Sequence, residues 1–246
     1  METIFEQQYE IGAIHVDCFG RCKPSVLLYL AQEAATGHCD RLQLSWEIMA
    51  KQGLFWAVIR TRVQVQRLPI LGETVTVKTW PMPTTRTAYP RAVSILDNAG
   101  AELARIISLW VLMDTQTRAM VLPGRSGVDV AGQLMGNELA APGSIVPKPA
   151  ENSCLRQVVY TELDRNGHMN NTRYLDWVDD LLPAAFHKAH PVKEFTVCYL
   201  SEAREGQQAQ LYYQLTDGPV FQVDGYDAQT DVSGKQTRIF SVQMQF

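Results

Sequence analysis

Residues Val16 to Leu30 fall without a gap on residues Leu163 to Trp177, 147 positions further along. Asp17 meets Asp164, Gly20 meets Gly167, Pro24 meets Asn171 and Leu28 meets Leu175. A repeat this widely spaced in 246 residues points to two similar units of ordinary domain size, each built around a polar turn that feeds a helix. The differences between the copies carry as much meaning as the matches. Phe19 stands opposite Asn166 and Arg21 opposite His168, so only the second copy keeps an amide and an imidazole. A shared Asp, Gly and helix serve a scaffold; the extra polar pair serves a site.

The periodicity around each repeat gives the rest of the unit. Pro24 suits a first helical turn, where its missing N–H is not needed. Val26 to Ala35 then reads as a helix apolar around most of its circumference, largely buried against a sheet, with Gly37 as its expected end. A second helical piece surrounds Trp46 to Ala50. After it the period becomes two: Val63 and Val65, then Val75 and Val77, alternate with polar neighbours, and strands follow around Val93 to Ile95 and Leu103 to Met113. Residues 123–149, rich in Gly and Pro, read as a connection, with a short helix expected near Gln133 to Leu139. Beyond it the order repeats: a strand at Arg156 to Tyr160, a helix with Asn171 as its expected N-cap, then strands at Glu194 to Tyr199, Ala209 to Leu215, Phe221 to Tyr226 and Thr237 to Met244. This is an α+β pattern, a buried helix covered by an antiparallel sheet, made twice. The expected boundaries are 1–130, a linker at 131–152, and 153–246.

The chemistry concentrates in Asp164-Arg165-Asn166-Gly167-His168 and, after a strand, in Glu202 with Glu205 as a competing carboxylate. Asp164 is read as orienting the turn, because Asp17 occupies the matching place in a copy without the amide and imidazole. His168 is a candidate acid or base, and Glu202 a candidate for orienting a water or taking its proton. The first turn of the following helix is expected to offer N–H donors to a developing oxyanion. Cys18, Cys22, His38 and Cys39 with His15 lack a metal-ligand spacing. No nucleophile elbow surrounds Ser201, and there is no phosphate loop. A net charge of −4 argues against a general polyanion binder, so nucleic acid is not an expected partner. Five cysteines without a disulfide framework, and no secretion leader or bilayer-length apolar run, make the cytoplasm the expected compartment, without membrane insertion.

These residues resemble the acyl-acyl-carrier-protein thioesterases of the plant and bacterial type, which have two hot-dog domains. The likeness rests on Asp17 to Gly20, Trp56 with Arg60, Pro69 to Gly72, Thr79-Trp80-Pro81, and Ser108 to Asp114 with Thr117-Arg118. Its most specific part is Asp164-x-Asn166-x-His168-Met169-Asn170-Asn171-x-x-Tyr174-x-x-Trp177. The resemblance implies tandem hot-dog domains and a catalytic set of Asp164, Asn166, His168 and Glu202. The implied reaction is hydrolysis of a fatty acyl thioester on an acyl carrier protein, with no cofactor and no metal. It leaves an acyl-CoA thioesterase and a non-catalytic acyl-chain binder as alternatives, and either a monomer or a homodimer. One departure bears on mechanism: Ala203 stands where many plant relatives carry a cysteine, which favours direct hydrolysis over an acyl-cysteine intermediate. Cys198, five residues before it, is no substitute. The first copy is expected to form the acyl pocket.

Overall fold

The computed structural model describes residues 3–136, 138–216, 218–230 and 234–246. The chain divides into two compact units, 1–142 and 143–246. The first contains β1 (Phe5–Glu10), α1 (Pro24–Arg41), α2 (Trp46–Lys51), β2 (Leu54–Val65), β3 (Thr74–Pro81), β4 (Tyr89–Leu96), β5 (Glu102–Asp114), β6 (Met120–Val121) and the single turn α3 (Pro123–Ser126). Its strands pair antiparallel in the order β1-β3-β4-β5-β2, with β6 added to β5. The long apolar stretch at Leu103 to Met113 is therefore central in its sheet, as its two-sided pattern predicts.

In α1, Leu27, Leu30, Ala34 and His38 are fully buried, at spacings that put them on one helical face. The helix does not stop at Gly37 as the sequence suggests; it runs four residues further. Glycine is needed there for packing: a Cβ would come within 2.7 Å of the Phe5 ring. That ring is pinned between His38, stacked at 5.9 Å, and the Arg41 guanidinium at 4.7 Å.

The second unit contains β7 (Asn152–Gln157), α4 (Arg173–Asp179), α5 (Ala184–Ala189), β8 (Glu194–Tyr199), β9 (Gln208–Thr216), β10 (Val220–Thr230) and β11 (Gln236–Gln245). Its order, β7-β9-β10-β11-β8, is that of the first unit strand for strand, again antiparallel throughout. Each unit is the α+β hot-dog arrangement implied by the resemblance. The second differs in its helix: α4 has seven residues, and Pro183 separates it from α5.

No helix forms among the described residues of Gln133 to Leu139; Asn137 lies outside them. Side chains hold this stretch instead. Trp80 Nε1 donates to Glu138 at 3.3 Å, and Leu139 packs on the cluster of Trp80, Ala92 and Ile107. In the second unit Gln222 Nε2 donates to the Val146 carbonyl at 2.9 Å, and the Cys198 thiol to that of Gly143 at 3.6 Å. Backbone that finds side-chain partners needs no regular element to satisfy it.

Candidate active site

The duplicated turn folds identically in both copies. In the second, Asp164 N–H donates to the His168 carbonyl at 2.8 Å and Gly167 N–H to the Asp164 carbonyl at 3.0 Å. In the first, Asp17 N–H reaches the Arg21 carbonyl at 2.7 Å and Gly20 N–H the Asp17 carbonyl at 3.0 Å. Asp164 Oδ1 accepts from the N–H groups of Asn166, at 2.8 Å, and His168, at 3.3 Å. Asp17 Oδ1 does the same for Phe19 and Arg21, at 2.8 and 3.0 Å. Both turns need a left-handed residue, and Gly20 and Gly167 supply it at φ 75°. The aspartate is thus the brace of the turn.

A second shared contact ties each turn to the connection leaving β2 or β8. Met169 N–H donates to Ala203 at 2.8 Å, and Cys22 N–H to Pro69 at 2.7 Å. The next residues bridge as His168 with Arg204 and Arg21 with Ile70. This register makes Leu68 the counterpart of Glu202. The first copy therefore carries Asp17, Phe19, Arg21 and Leu68 where the second carries Asp164, Asn166, His168 and Glu202. In the first copy the Arg21 guanidinium closes onto Asp17 Oδ2 at 3.0 Å and covers Phe19 at 5.0 Å.

The second copy brings all four expected residues together. His168 Nε2 lies 3.1 Å from Glu202 Oε2, and Asn166 Nδ2 donates to Asp164 Oδ2 at 3.4 Å. The imidazole is mostly covered, its side chain 13% exposed, whereas the Glu202 side chain is 35% exposed and reaches solvent. An ionised carboxylate can only accept, so with Glu202 ionised the contact is made through Nε2–H. Arg204, on the solvent side, places its guanidinium 3.9 Å from the same Glu202 oxygen. Of the two carboxylates left open by the sequence, Glu202 is the one in contact with His168.

Around the turn lies bracing that sequence reasoning missed. Trp177 Nε1 donates to Glu162 Oε1 at 2.6 Å, while Glu162 Oε2 accepts from Val159 N–H at 3.0 Å. Tyr199 donates its hydroxyl to the Asn171 carbonyl at 3.0 Å. Tyr174 packs between them, 5.6 Å from Tyr199 and 6.4 Å from Trp177. Burial, reinforced by the charges of Asp164 and Glu202, raises its phenol far above the ordinary value, so it stays protonated. Tyr174 and Trp177 stand in the motif itself, but the sequence does not show that they meet Tyr199 and Glu162.

One expectation about the helix is corrected. Its N-cap is Thr172, not Asn171, and it makes no side-chain capping bond. The side chain that accepts at this turn is that of Asn170, whose Oδ1 takes Thr172 N–H at 2.9 Å and its hydroxyl at 2.8 Å. Thr172 N–H, and Arg173 N–H bonded to the Asn170 carbonyl at 3.0 Å, are thereby already engaged.

Among the described residues no group of three or more His, Cys, Asp or Glu side chains is arranged to hold a metal ion. Cys18, Cys22 and Cys39 are free thiols, and burial pushes that of Cys22 up to about 12. Among the described residues no helix is long and apolar enough to cross a membrane.

The sequence matches the family model of the acyl-ACP thioesterase N-terminal domain over residues 2–122 and that of the C-terminal domain over residues 148–245. It is 28% identical over 187 residues to a chloroplastic dodecanoyl-acyl-carrier-protein hydrolase of Cinnamomum camphora, covering 70% of this chain and 49% of that protein. It is 26% identical over 229 residues to a palmitoyl-acyl carrier protein thioesterase of Gossypium hirsutum, covering 87% and 55%. The chain thus spans about half the length of the curated relatives it matches. Its fold is shared with an acyl-ACP thioesterase from Bacteroides thetaiotaomicron, with a TM-score of 0.88, 21% identity, and 99% and 98% of the two chains covered. It is shared also with a 12:0-ACP thioesterase from Umbellularia californica, with a TM-score of 0.82, 22% identity, and 100% and 97% covered. Two family domains in their tandem order, matching all but the first residue, the last and the connection at 123–147, establish that this chain belongs to the acyl-ACP thioesterase family.

Proposed function

We propose that the protein hydrolyses the thioester of a fatty acyl chain carried on the phosphopantetheine arm of an acyl carrier protein, releasing free fatty acid and holo-carrier protein. The observation that carries this reading is the 3.1 Å contact of His168 with Glu202 beside an Asp164-braced Asn166, in a copy whose twin keeps only the brace. Glu202 takes a proton from water, directly or through His168. The water oxygen bonds to the thioester carbonyl carbon. Negative charge then grows on the carbonyl oxygen, where an N–H of the Asn166 amide meets it. As the carbon–sulfur bond breaks, the sulfur leaves with the electron pair and receives the proton back, giving the pantetheine thiol. Asp164 holds the turn and the amide in place, and Ala203 offers no thiol for an acyl-enzyme.

The first unit, with Phe19, Arg21 and Leu68 at the matching positions, is left to receive the acyl chain. Each methylene it buries is worth about 0.8 kcal/mol of chain-length preference. The test is product release from matched acyl-carrier-protein and acyl-CoA series by the full chain and by a folded Glu202→Gln variant. Turnover of carrier-bound chains that the variant loses supports the reading. Turnover confined to CoA esters moves the substrate class, and none on either series overturns hydrolysis.

A further inference from the structure

We propose that Tyr199 is a positioning residue, whose hydroxyl sets the distance between Glu202 and His168; this rests on the hydrolase reading above. The two residues of the pair sit on different segments. Glu202 follows the end of β8 by three residues, and His168 precedes Asn171 by three. The Tyr199 hydroxyl, the last side chain of β8, reaches the Asn171 carbonyl at 3.0 Å. It closes a ring that runs from Tyr199 to Glu202, across to His168, and back along the turn to Asn171.

The internal duplication shows which parts of this ring are scaffold. The Met169-to-Ala203 bond and the bridge of His168 with Arg204 recur in the first copy as Cys22 with Pro69 and Arg21 with Ile70. The exit from the strand recurs as well. Leu200 and Ser201 both donate to the Ile239 carbonyl, as Gln66 and Arg67 both donate to that of Leu103. In this register Tyr199 corresponds to Val65, and Asn171 to Pro24, so the first copy builds the same turn with no hydroxyl at all. The tyrosine tie is therefore not required for the fold of the turn. It is present in the copy that has a side-chain pair to align. Two flexible side chains held at 3.1 Å lose their contact with a drift of about 1 Å, and misplacement on that scale costs up to about 100-fold in rate. The ring of Tyr199 is itself gripped edge-on by Tyr174, which leaves the hydroxyl little freedom to wander.

The test is Tyr199→Phe in the full chain, which removes one oxygen and keeps the ring. The expected result is a fall in kcat of about 10- to 100-fold on acyl-carrier-protein with KM within about two-fold. The nitrogen-15 and proton NMR signals of the His168 ring are expected to move or broaden, and circular dichroism to stay that of wild type. Replacing Tyr199 with 4-aminophenylalanine, which retains a donor at the same place, is expected to restore kcat and the His168 signals. If both tyrosine variants keep wild-type kcat and His168 signals, or if the phenylalanine variant loses only Tm, the positioning role is overturned. Should the wild type hydrolyse neither substrate series, the enzymatic reading falls, while the His168 signals still decide whether the hydroxyl aligns the pair.

Discussion

Asp17 and Asp164, 147 positions apart, each accept two backbone N–H groups of their own turn through one carboxylate oxygen, Asp17 at 2.8 and 3.0 Å and Asp164 at 2.8 and 3.3 Å. The two aspartates do the same structural work, and only Asp164 does it beneath an amide and an imidazole. That relation separates the brace that both copies share from the side chains proposed for the chemistry.

Asp17→Ala and Asp164→Ala are accordingly expected to destabilise by similar amounts, about 1–3 kcal/mol each, because each leaves turn donors without their acceptor. Urea unfolding measures this. Turnover is expected to vanish in the Asp164 variant and to persist in the Asp17 variant under conditions where both are folded. Equal loss in both would show that the turn, and not the site, governs activity.

Glu202→Gln keeps the shape of the side chain and removes its basicity. A fall in kcat of about 10²- to 10⁴-fold is expected, with Tm little changed, since the carboxylate reaches solvent. Glu205→Gln, at an exposed position, is expected to leave kcat within about two-fold. Steady-state kinetics on the same carrier-bound substrate compares them, and a larger effect at Glu205 would reverse the assignment.

In the first unit Arg67 holds the Glu73 carboxyl below its ordinary value through a hydrogen bond at 2.7 Å. A depressed carboxylate contributes stability above its unfolded pKa of about 4.3 and loses it as pH falls through the lower, folded value. Glu73→Gln should remove this acid-side loss at a cost at neutral pH below about 1 kcal/mol. The turn itself should survive, because Gln207 accepts from Arg204 N–H at 3.0 Å as Glu73 accepts from Ile70 N–H at 2.9 Å. Unfolding midpoints of both proteins measured across the acidic range provide the check; parallel curves would exclude the linkage.

Gly37→Ala tests the packing of α1. In an open helix the change would stabilise by about 1 kcal/mol. Here the new methyl meets the pinned Phe5 ring at 2.7 Å, so a net destabilisation of about 1–3 kcal/mol is expected. Pairing it with Phe5→Leu should recover part of the loss in thermal unfolding, and a stabilised single variant would show the ring to be free to move.

By itself, the sequence determined the duplication, the antiparallel strands, the second-copy loop of Asp164, Asn166 and His168, and the absence of a thiol at position 203. Strands such as Glu194–Tyr199 were legible because alternation over a few residues marks a sheet with one buried face. The family resemblance gave Glu202 its role; the residues alone left it level with Glu205. Tertiary structure decided which of them meets the imidazole: the register of His168 against Arg204 sets Glu202 on Nε2. It decided also that α1 continues through Gly37, since the Phe5 ring that requires a glycine comes from a strand far away in the chain. The cap at Thr172 and the tie from Tyr199 to Asn171 belong to the same class. Local patterns report the energetics of neighbours in sequence, whereas these features depend on which backbone and side-chain groups meet once two separate segments are paired.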